Sequence, residues 1–109
     1  MSFSRYDICW VDFEPVRGSE MSKVRPAVIV SLDALNSALK TVVVCPITSQ
    51  IHLGWRSRLQ IRLKGRVGEI AVDQIRSVAK ERLGKKIQAL PPSDAAVLRQ
   101  LLSDMYGEP

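Results

Sequence analysis

Hydrophobic and polar positions form short runs along most of the chain, in patterns typical of β-strands. Residues 6–13 mix apolar and acidic side chains at strand spacing, and residues 26–30 and 41–44 are β-branched runs that are apolar on both faces. Residues 59–63 alternate leucine or isoleucine with polar side chains, which indicates a half-exposed strand. These patterns predict a sheet with some fully buried strands.

Turn and helix signals separate these strands. Residues 65–68 predict the turn of a hairpin that leads into a strand over residues 69–72. Residues 83–89 predict a further strand, which the pair Pro91-Pro92 ends. Asp33 is expected to cap a short helix after the second strand.

The last segment predicts an amphipathic helix, with Ser93 as its cap and Gly107 as its stop. Its apolar stripe recurs at steps of three and four residues and consists of Leu98, Leu101, Leu102 and Met105. Five to seven short strands and few helical residues favour a mainly β fold of the β-rich α+β class. We expect a strongly curled sheet or small barrel with the helix packed on it.

Length and composition limit the possible classes of protein. A chain of 109 residues has room for one domain, expected to span residues 1–109. No segment is long and apolar enough to predict a membrane span or a signal peptide, so we expect a cytoplasmic protein. Cys9 and Cys45 lie in separate apolar runs, far from any CxxC spacing, and are expected to be buried reduced thiols.

Charge is unevenly distributed along the chain. The net charge is +5, yet residues 1–22 and residues 89–109 each carry −2. Residues 23–88 hold thirteen lysines and arginines against four acids, a local +9. Such an excess attracts a polyanion if it lies on one face, although a merely solubilising surface explains it equally well.

Two loops carry polar residues that the fold does not require. In the first, residues 17–26, Arg25 stands at the entrance of a buried strand, and Pro26 fixes the backbone there. In the second, residues 46–50, Thr48 and Ser49 follow a buried strand, where a side chain is held rigidly yet meets solvent. Such a position is suited to binding a phosphate group.

These loops also carry a family resemblance. The segments WVDFEPVRGSEMSKVRPAVIVS, VVVCPITSQ and GEIAVDQIRSVAKERLGK, in this order and spacing, resemble the MazF/PemK family of toxin endoribonucleases, or mRNA interferases. The resemblance covers nearly the whole chain. It implies an SH3-like barrel, a homodimer, and a substrate of single-stranded RNA that is cut at a short sequence.

The resemblance also implies roles for individual residues. Arg25 matches the catalytic arginine of the family and Thr48 its catalytic threonine, and Glu20 is the candidate general base. The PemK branch has a histidine where this chain has Ser19 and an arginine where it has Ala71, so the chain follows the MazF branch. The residues expected to bind RNA lie in the two loops, around Trp55 and after the hairpin: Arg17, Ser19, Ser49, Gln50, Trp55, Arg56, Arg58, Asp73, Gln74 and Arg76.

The implied chemistry agrees with the side chains present. RNA supplies its own nucleophile, the ribose 2′-hydroxyl, so the protein needs only to align it, stabilise the charge on phosphorus and move two protons. No cofactor is expected. No metal is expected either, because Glu20, Glu69 and Asp73 lack ligand spacing and His52 lacks a partner motif.

Simpler explanations stay open for several of these residues. Arg25 can be a surface ion-pair partner of Glu20, and Thr48 a turn-forming hydroxyl. His52 is expected to be ordinary surface, because nothing near it in sequence would orient its ring. Trp10 is expected in the core or at a dimer contact, whereas Trp55, beside two arginines, is suited to stacking an unpaired base.

Two other functions are compatible with a small basic barrel. One rival is a poison of gyrase on the same barrel, but such relatives end in Trp-Gly-Ile and this chain ends in Tyr-Gly-Glu-Pro. The other rival is a non-catalytic barrel that binds nucleic acid. The expected partners are single-stranded RNA, a second copy of the chain and a cognate acidic antitoxin of the MazE kind, whose disordered segment would occupy the basic groove.

Overall fold

A computed structural model of the protein describes residues 3–13 and 24–109. In that part the chain forms seven strands and two helices. Short 3₁₀ turns cover Val72–Gln74 and Lys80–Arg82. The elements, in chain order, are β1 (Asp7–Asp12), β2 (Val24–Ile29), α1 (Asp33–Ala38), β3 (Thr41–Thr48), β4 (Arg58–Leu63), β5 (Arg66–Ala71), β6 (Arg76–Ala79), β7 (Leu83–Ala89) and α2 (Pro92–Tyr106).

The strands form one antiparallel sheet in the order β4-β5-β3-β2-β1-β7. Strand β3 changes partner along its length, because residues 41–44 pair with β6 and residues 47–48 pair with β5. This change curls the sheet into a half-barrel, and α2 packs against one face. The mainly β fold, with a short helix after the second strand and a C-terminal helix, is confirmed. The single domain over residues 1–109 stays a prediction.

Both faces of the sheet are covered by apolar packing, which explains the β-branched runs. Val28 and Cys45 belong to the core beneath α2, whereas Ala27 and Val44, their neighbours in sequence, belong to a second cluster on the opposite face. Both cysteines are buried and free, as expected. Burial raises the pKa of the Cys9 thiol to about 11 and that of Cys45 to about 12, so both are protonated at neutral pH.

Helix α2 buries the predicted stripe, with Leu98 fully buried and the other three stripe residues packed on the core. Gly107 ends the helix as predicted, donating its N–H to Ser103 O at 2.8 Å. The predicted cap at Ser93 is wrong. The helix begins at Pro92, whose fixed φ suits a first helical turn and whose missing N–H needs no partner there.

Two other local predictions are also corrected. Asp33 is the first residue of α1 rather than its cap, and its carboxylate instead accepts the backbone N–H of Arg5 at 2.6 Å. The hairpin forms, but its turn is Lys64-Gly65, with φ of 51° and 80°. Two consecutive left-handed residues form the tight turn that joins twisted strands, so Gly68 lies inside β5 rather than in the turn.

In the described ranges, neither helix is long and apolar enough to cross a membrane.

Candidate active site

Strand β3 extends farther than its sequence predicted and carries Thr48 as its last residue. The sequence predicts a loop over residues 46–50, yet residues 46–48 belong to the strand. Pro46 is tolerated because β6 pairs with residues through Val44 and β5 pairs from Ile47 onward. Pro46 falls in the gap between these partners, where no ladder N–H is needed. Thr48 is therefore held by a strand rather than by a loop.

Arg25 and Thr48 share one cavity. In the ladder between β2 and β3, Ala27 pairs with Pro46, and continuing this register by two residues brings Arg25 opposite Thr48. Pro26 lies between and cannot donate to the ladder, so the regular pairing ends at Ala27. Both Arg25 and Thr48 line a cavity of about 500 Å³, together with Ser49, Trp10 and Arg66.

The polar groups of this cavity are suited to binding an anion. Two guanidinium groups, those of Arg25 and Arg66, belong to exposed residues of the lining. Within residues 3–13 and 24–109, neither forms an ion pair with an acid. Thr48 Oγ1 accepts the backbone N–H of Gln50 at 3.1 Å, which leaves the hydroxyl hydrogen free to donate.

A buried carboxylate lies beside Thr48 in the sheet. Glu69 is the ladder partner of Thr48 on one side and of Gln60 on the other, so the three side chains share one face of the sheet. Glu69 is fully buried. Its Oε1 accepts the backbone N–H of His52 at 2.7 Å and Gln60 Nε2 at 2.8 Å, while its Oε2 accepts Arg58 Nη1 at 2.7 Å.

The Glu69 carboxylate also fixes the tautomer of His52. His52 Nδ1 lies 2.9 Å from Glu69 Oε2 and 3.2 Å from Arg58 Nη1. An ionised carboxylate only accepts, so Nδ1 carries a hydrogen and donates it to Oε2. Burial by itself raises the pKa of Glu69, but the hydrogen bonds from His52, Arg58 and Gln60 outweigh it and lower the pKa to about 2.

Arg58 links this carboxylate to a second acid and to an aromatic ring. Its Nε donates to Asp73 Oδ1 at 2.8 Å, and this hydrogen bond lowers the pKa of Asp73. The Arg58 side chain is only 4% exposed, so both carboxylates are satisfied by an interior guanidinium. The guanidinium carbon lies 4.7 Å from the Trp55 ring centroid, and the His52 ring stacks on Trp55 at 4.0 Å.

The predicted RNA-binding residues fall into several places. Ser49 lines the cavity, and Trp55, Arg58 and Asp73 belong to the Glu69 network just described. Gln50 donates its backbone N–H to Thr48 Oγ1, and Arg56 is exposed. Gln74 lies in the 3₁₀ turn Val72–Gln74. The Arg76 guanidinium carbon lies 5.1 Å from the Phe13 ring centroid. Arg17, Ser19 and Glu20 lie outside the described residues.

Sequence reasoning missed four residues of this region. The expectation that His52 is ordinary surface is wrong, because a carboxylate seventeen positions away orients its ring. The sequence marks Glu69 only as the first residue of a strand and as an acid without metal-ligand spacing. Trp10 is 43% exposed and lines the cavity, so it is not a core residue, while a dimer contact stays a prediction. Only one feature of the sequence pointed to Arg66, namely its position at a predicted hairpin turn.

Comparison with known proteins finds relatives that match most of the chain. The model of the family described as PemK-like, MazF-like toxin of type II toxin-antitoxin system matches residues 4–106. Endoribonuclease MazF9 of Mycobacterium tuberculosis is 35% identical over 109 aligned positions, which cover 90% of this chain and 91% of the relative. Endoribonuclease EndoA of Bacillus subtilis is 35% identical over 95 positions, covering 83% and 82%.

A solved structure shares the fold. The crystal structure of MazE-MazF (Form-II) from Deinococcus radiodurans superposes with a TM-score of 0.81 at 25% identity, covering 97% of this chain and 96% of that chain.

Proposed function

Because the chain belongs to the PemK-like, MazF-like family of type II toxin-antitoxin toxins, we propose that it is an endoribonuclease that cuts single-stranded RNA at the cavity shared by Arg25 and Thr48. The observation that carries this proposal is the placement of these two side chains in one cavity. Its curated relatives are named endoribonucleases. A guanidinium and a neutral hydroxyl donor, facing the same space from neighbouring strands, are suited to binding one phosphodiester.

The proposed reaction uses the ribose 2′-hydroxyl as the nucleophile. The 2′-oxygen forms a bond to phosphorus, the bond from phosphorus to the 5′-oxygen breaks, and the products end in a 2′,3′-cyclic phosphate and a 5′-hydroxyl. Arg25 donates two hydrogen bonds to phosphate oxygens and offsets the developing charge, for which its permanent charge suits it better than a base role. Thr48 donates the hydroxyl hydrogen that Gln50 leaves free.

The proton-transfer groups follow partly by elimination. Glu69 cannot accept the 2′-hydroxyl proton, because its carboxylate is fully buried and holds four hydrogen bonds. Glu20 stays the proposed general base.

We also propose that the reaction needs no metal ion. The substrate brings its own nucleophile, and among residues 3–13 and 24–109 no three histidine, cysteine or acidic side chains group as metal ligands.

Binding of the RNA strand is proposed to extend beyond the cavity. The local +9 of residues 23–88 would attract the phosphates, and Arg66 adds a second cation beside Arg25 in the cavity. Ser49 lies beside Thr48 in the lining. Trp55 packs against His52 and Arg58, which both bond to Glu69, and an unpaired base is proposed to stack on its indole. The sites named by resemblance, from Arg17 to Arg76, complete this proposed groove.

The proposed partners are an antitoxin and a second copy of the chain. The Deinococcus radiodurans relative was solved as MazE-MazF, and another structural relative as an endoribonuclease with its cognate antitoxin. An acidic antitoxin segment would compete with RNA for the basic groove through the same electrostatics. We propose that the protein acts as a homodimer in the cytoplasm.

One experiment tests the cleavage proposal. The protein is incubated with a long single-stranded RNA in excess EDTA, and the cut ends are mapped and chemically identified. We expect cuts at a short recurring sequence, with 2′,3′-cyclic phosphate and 5′-hydroxyl ends. The matched control is Arg25→Ala, which should bind RNA but lose cleavage with its folding intact. RNA left intact by the wild-type protein would support the gyrase-poison or plain binding function instead.

A further inference from the structure

Trp55 has one covered face and one open face. The His52 ring stacks on the indole at 4.0 Å with an interplanar angle of 25°, and the Arg58 guanidinium carbon lies 4.7 Å from the same ring centroid. His52 Nδ1 and Arg58 Nη1 are only 3.2 Å apart. Groups on opposite faces would be separated by about twice the stacking distance. Both groups therefore cover the same face.

The opposite face of Trp55 is accessible. The residue is 50% exposed, and in residues 3–13 and 24–109 no further ring or cation stacks on the indole. An exposed tryptophan usually gains little from being held still, because immobilising a side chain costs conformational entropy. Here a large apolar surface is both exposed and fixed, which lowers the entropic cost of binding an aromatic ligand.

The side chains that fix Trp55 are themselves fixed by Glu69. This carboxylate accepts the backbone N–H and the ring N–H of His52 and the Nη1 hydrogen of Arg58, at 2.7 to 2.9 Å. Gln60 occupies the remaining acceptor site on Oε1. A carboxylate without solvent exposure therefore supports both groups on which the indole rests.

The position of this support relative to the cavity limits what the open face can bind. Glu69 is the direct ladder partner of Thr48, and Arg58 lies on β4, two strands away from β3. Adjacent strands are about 4.8 Å apart, so Glu69 lies about 5 Å and Arg58 about 10 Å from the strand of Thr48. A strand of RNA with one phosphate at Thr48 brings a neighbouring nucleotide within reach of Trp55.

We infer that the open face of Trp55 is a rigid stacking platform for the unpaired base of a nucleotide near the scissile phosphate, and that Glu69 and His52 are its positioning residues. This inference rests on the proposed function for the identity of the ligand. It adds a role for two side chains that the cleavage chemistry does not use. Base stacking on an aromatic ring tolerates any base, so the platform supplies affinity and register rather than strict sequence readout.

Binding of an uncleavable ligand tests the platform separately from cleavage. The probe is a short 2′-O-methyl RNA containing the mapped cut sequence, or a mixed sequence if no cut is found, because methylation removes the nucleophile. Trp55→Leu should weaken its binding by about tenfold. Leu53→Ala is the matched control, since Leu53 is 83% exposed in the same loop, and it should bind as tightly as wild type.

Two variants of His52 separate its contacts. His52→Asn keeps a donor for Glu69 but loses the stacked ring, and His52→Phe keeps a ring but loses the donor. Each should weaken binding of the probe by about threefold to fivefold, raising KM for cleavable RNA while kcat stays within about twofold. Thermal unfolding of each variant confirms that the fold is retained.

A spectroscopic measurement distinguishes stacking from indirect effects. In Trp10→Phe protein, where Trp55 is the remaining tryptophan, the probe should quench the emission. A series of probes with one abasic position each should lose that quenching at a single position.

Equal binding by Trp55→Leu and wild type, or equal losses for Leu53→Ala and Trp55→Leu, would overturn the platform. Unchanged binding in both His52 variants would overturn the positioning role, and intact RNA with normal quenching would overturn only the cleavage proposal.

Discussion

Arg58 Nη1 donates to Glu69 Oε2 at 2.7 Å, with the two side chains 4% and 0% exposed. Removing one partner of such a buried pair leaves the other charge uncompensated, which costs about 3 to 5 kcal/mol. Glu69→Gln should therefore lower the free energy of unfolding by roughly that amount in urea denaturation at neutral pH. Glu81→Gln, at an exposed residue of the second 3₁₀ turn, should change it by about 0.5 kcal/mol or less. Equal effects would show that the pair contributes nothing.

The same carboxylate predicts acid sensitivity. The pKa of Glu69 is lowered from its ordinary value of 4.5 to about 2 in the folded protein. Its stabilising contribution is thus complete above pH 4.5 and is lost as the pH falls toward 2, because the unfolded state binds the proton first. The difference in unfolding free energy between wild type and Glu69→Gln should shrink over that window. A difference that stays constant from pH 5 to pH 2 would contradict the lowered pKa.

Much of the fold was predictable because burial follows periodicity. The strands around Val28 and Val44 and the stripe ending at Met105 were found from apolar spacing alone, since each must face a core. The predicted caps at Asp33 and Ser93 failed for a local reason. A helix can begin without a side-chain cap, and Asp33 accepts instead a backbone N–H from Arg5, far away in sequence.

The candidate site was predictable only in part. Arg25 and Thr48 were recognised by resemblance, but their proximity follows from the register of β2 and β3, which no local pattern encodes. The pairing of His52 with Glu69 joins a loop to a strand, and neither residue lies in a periodic pattern that marks it. Long-range polar pairing of this kind depends on the finished sheet.

Thr48 predicts a clear difference between two small substitutions. Thr48→Val keeps the shape of the side chain and removes the hydroxyl, whereas Thr48→Ser keeps the hydroxyl. If the hydroxyl donates to the phosphate in the transition state, Thr48→Val should lower the single-turnover cleavage rate by about a hundredfold. Thr48→Ser should retain most of the activity. Comparable rates for the two variants would show that the hydroxyl only shapes the end of β3.

The two arginines of the cavity should differ in what their loss changes. Arg25 and Thr48 line one cavity, and the proposed mechanism assigns the Arg25 guanidinium to the charge that develops in the transition state. Arg66 lies at the start of β5, beside the hairpin turn, and lines the same cavity. In the proposed complex it contacts the RNA strand away from that phosphate. Arg25→Lys should therefore lower kcat strongly, because a single ammonium cannot reproduce two parallel hydrogen bonds.

Arg66→Ala should instead raise KM and leave kcat nearly unchanged, since it removes one ground-state phosphate contact. The loss should depend on salt. Neutralising one phosphate fewer on a single strand reduces the slope of log affinity against log salt by about 0.7. Binding of uncleavable RNA, measured across a salt series for wild type and both variants, checks this directly. A large fall in kcat for Arg66→Ala would place the scissile phosphate nearer the hairpin than Thr48 and would overturn the assignment of the two roles.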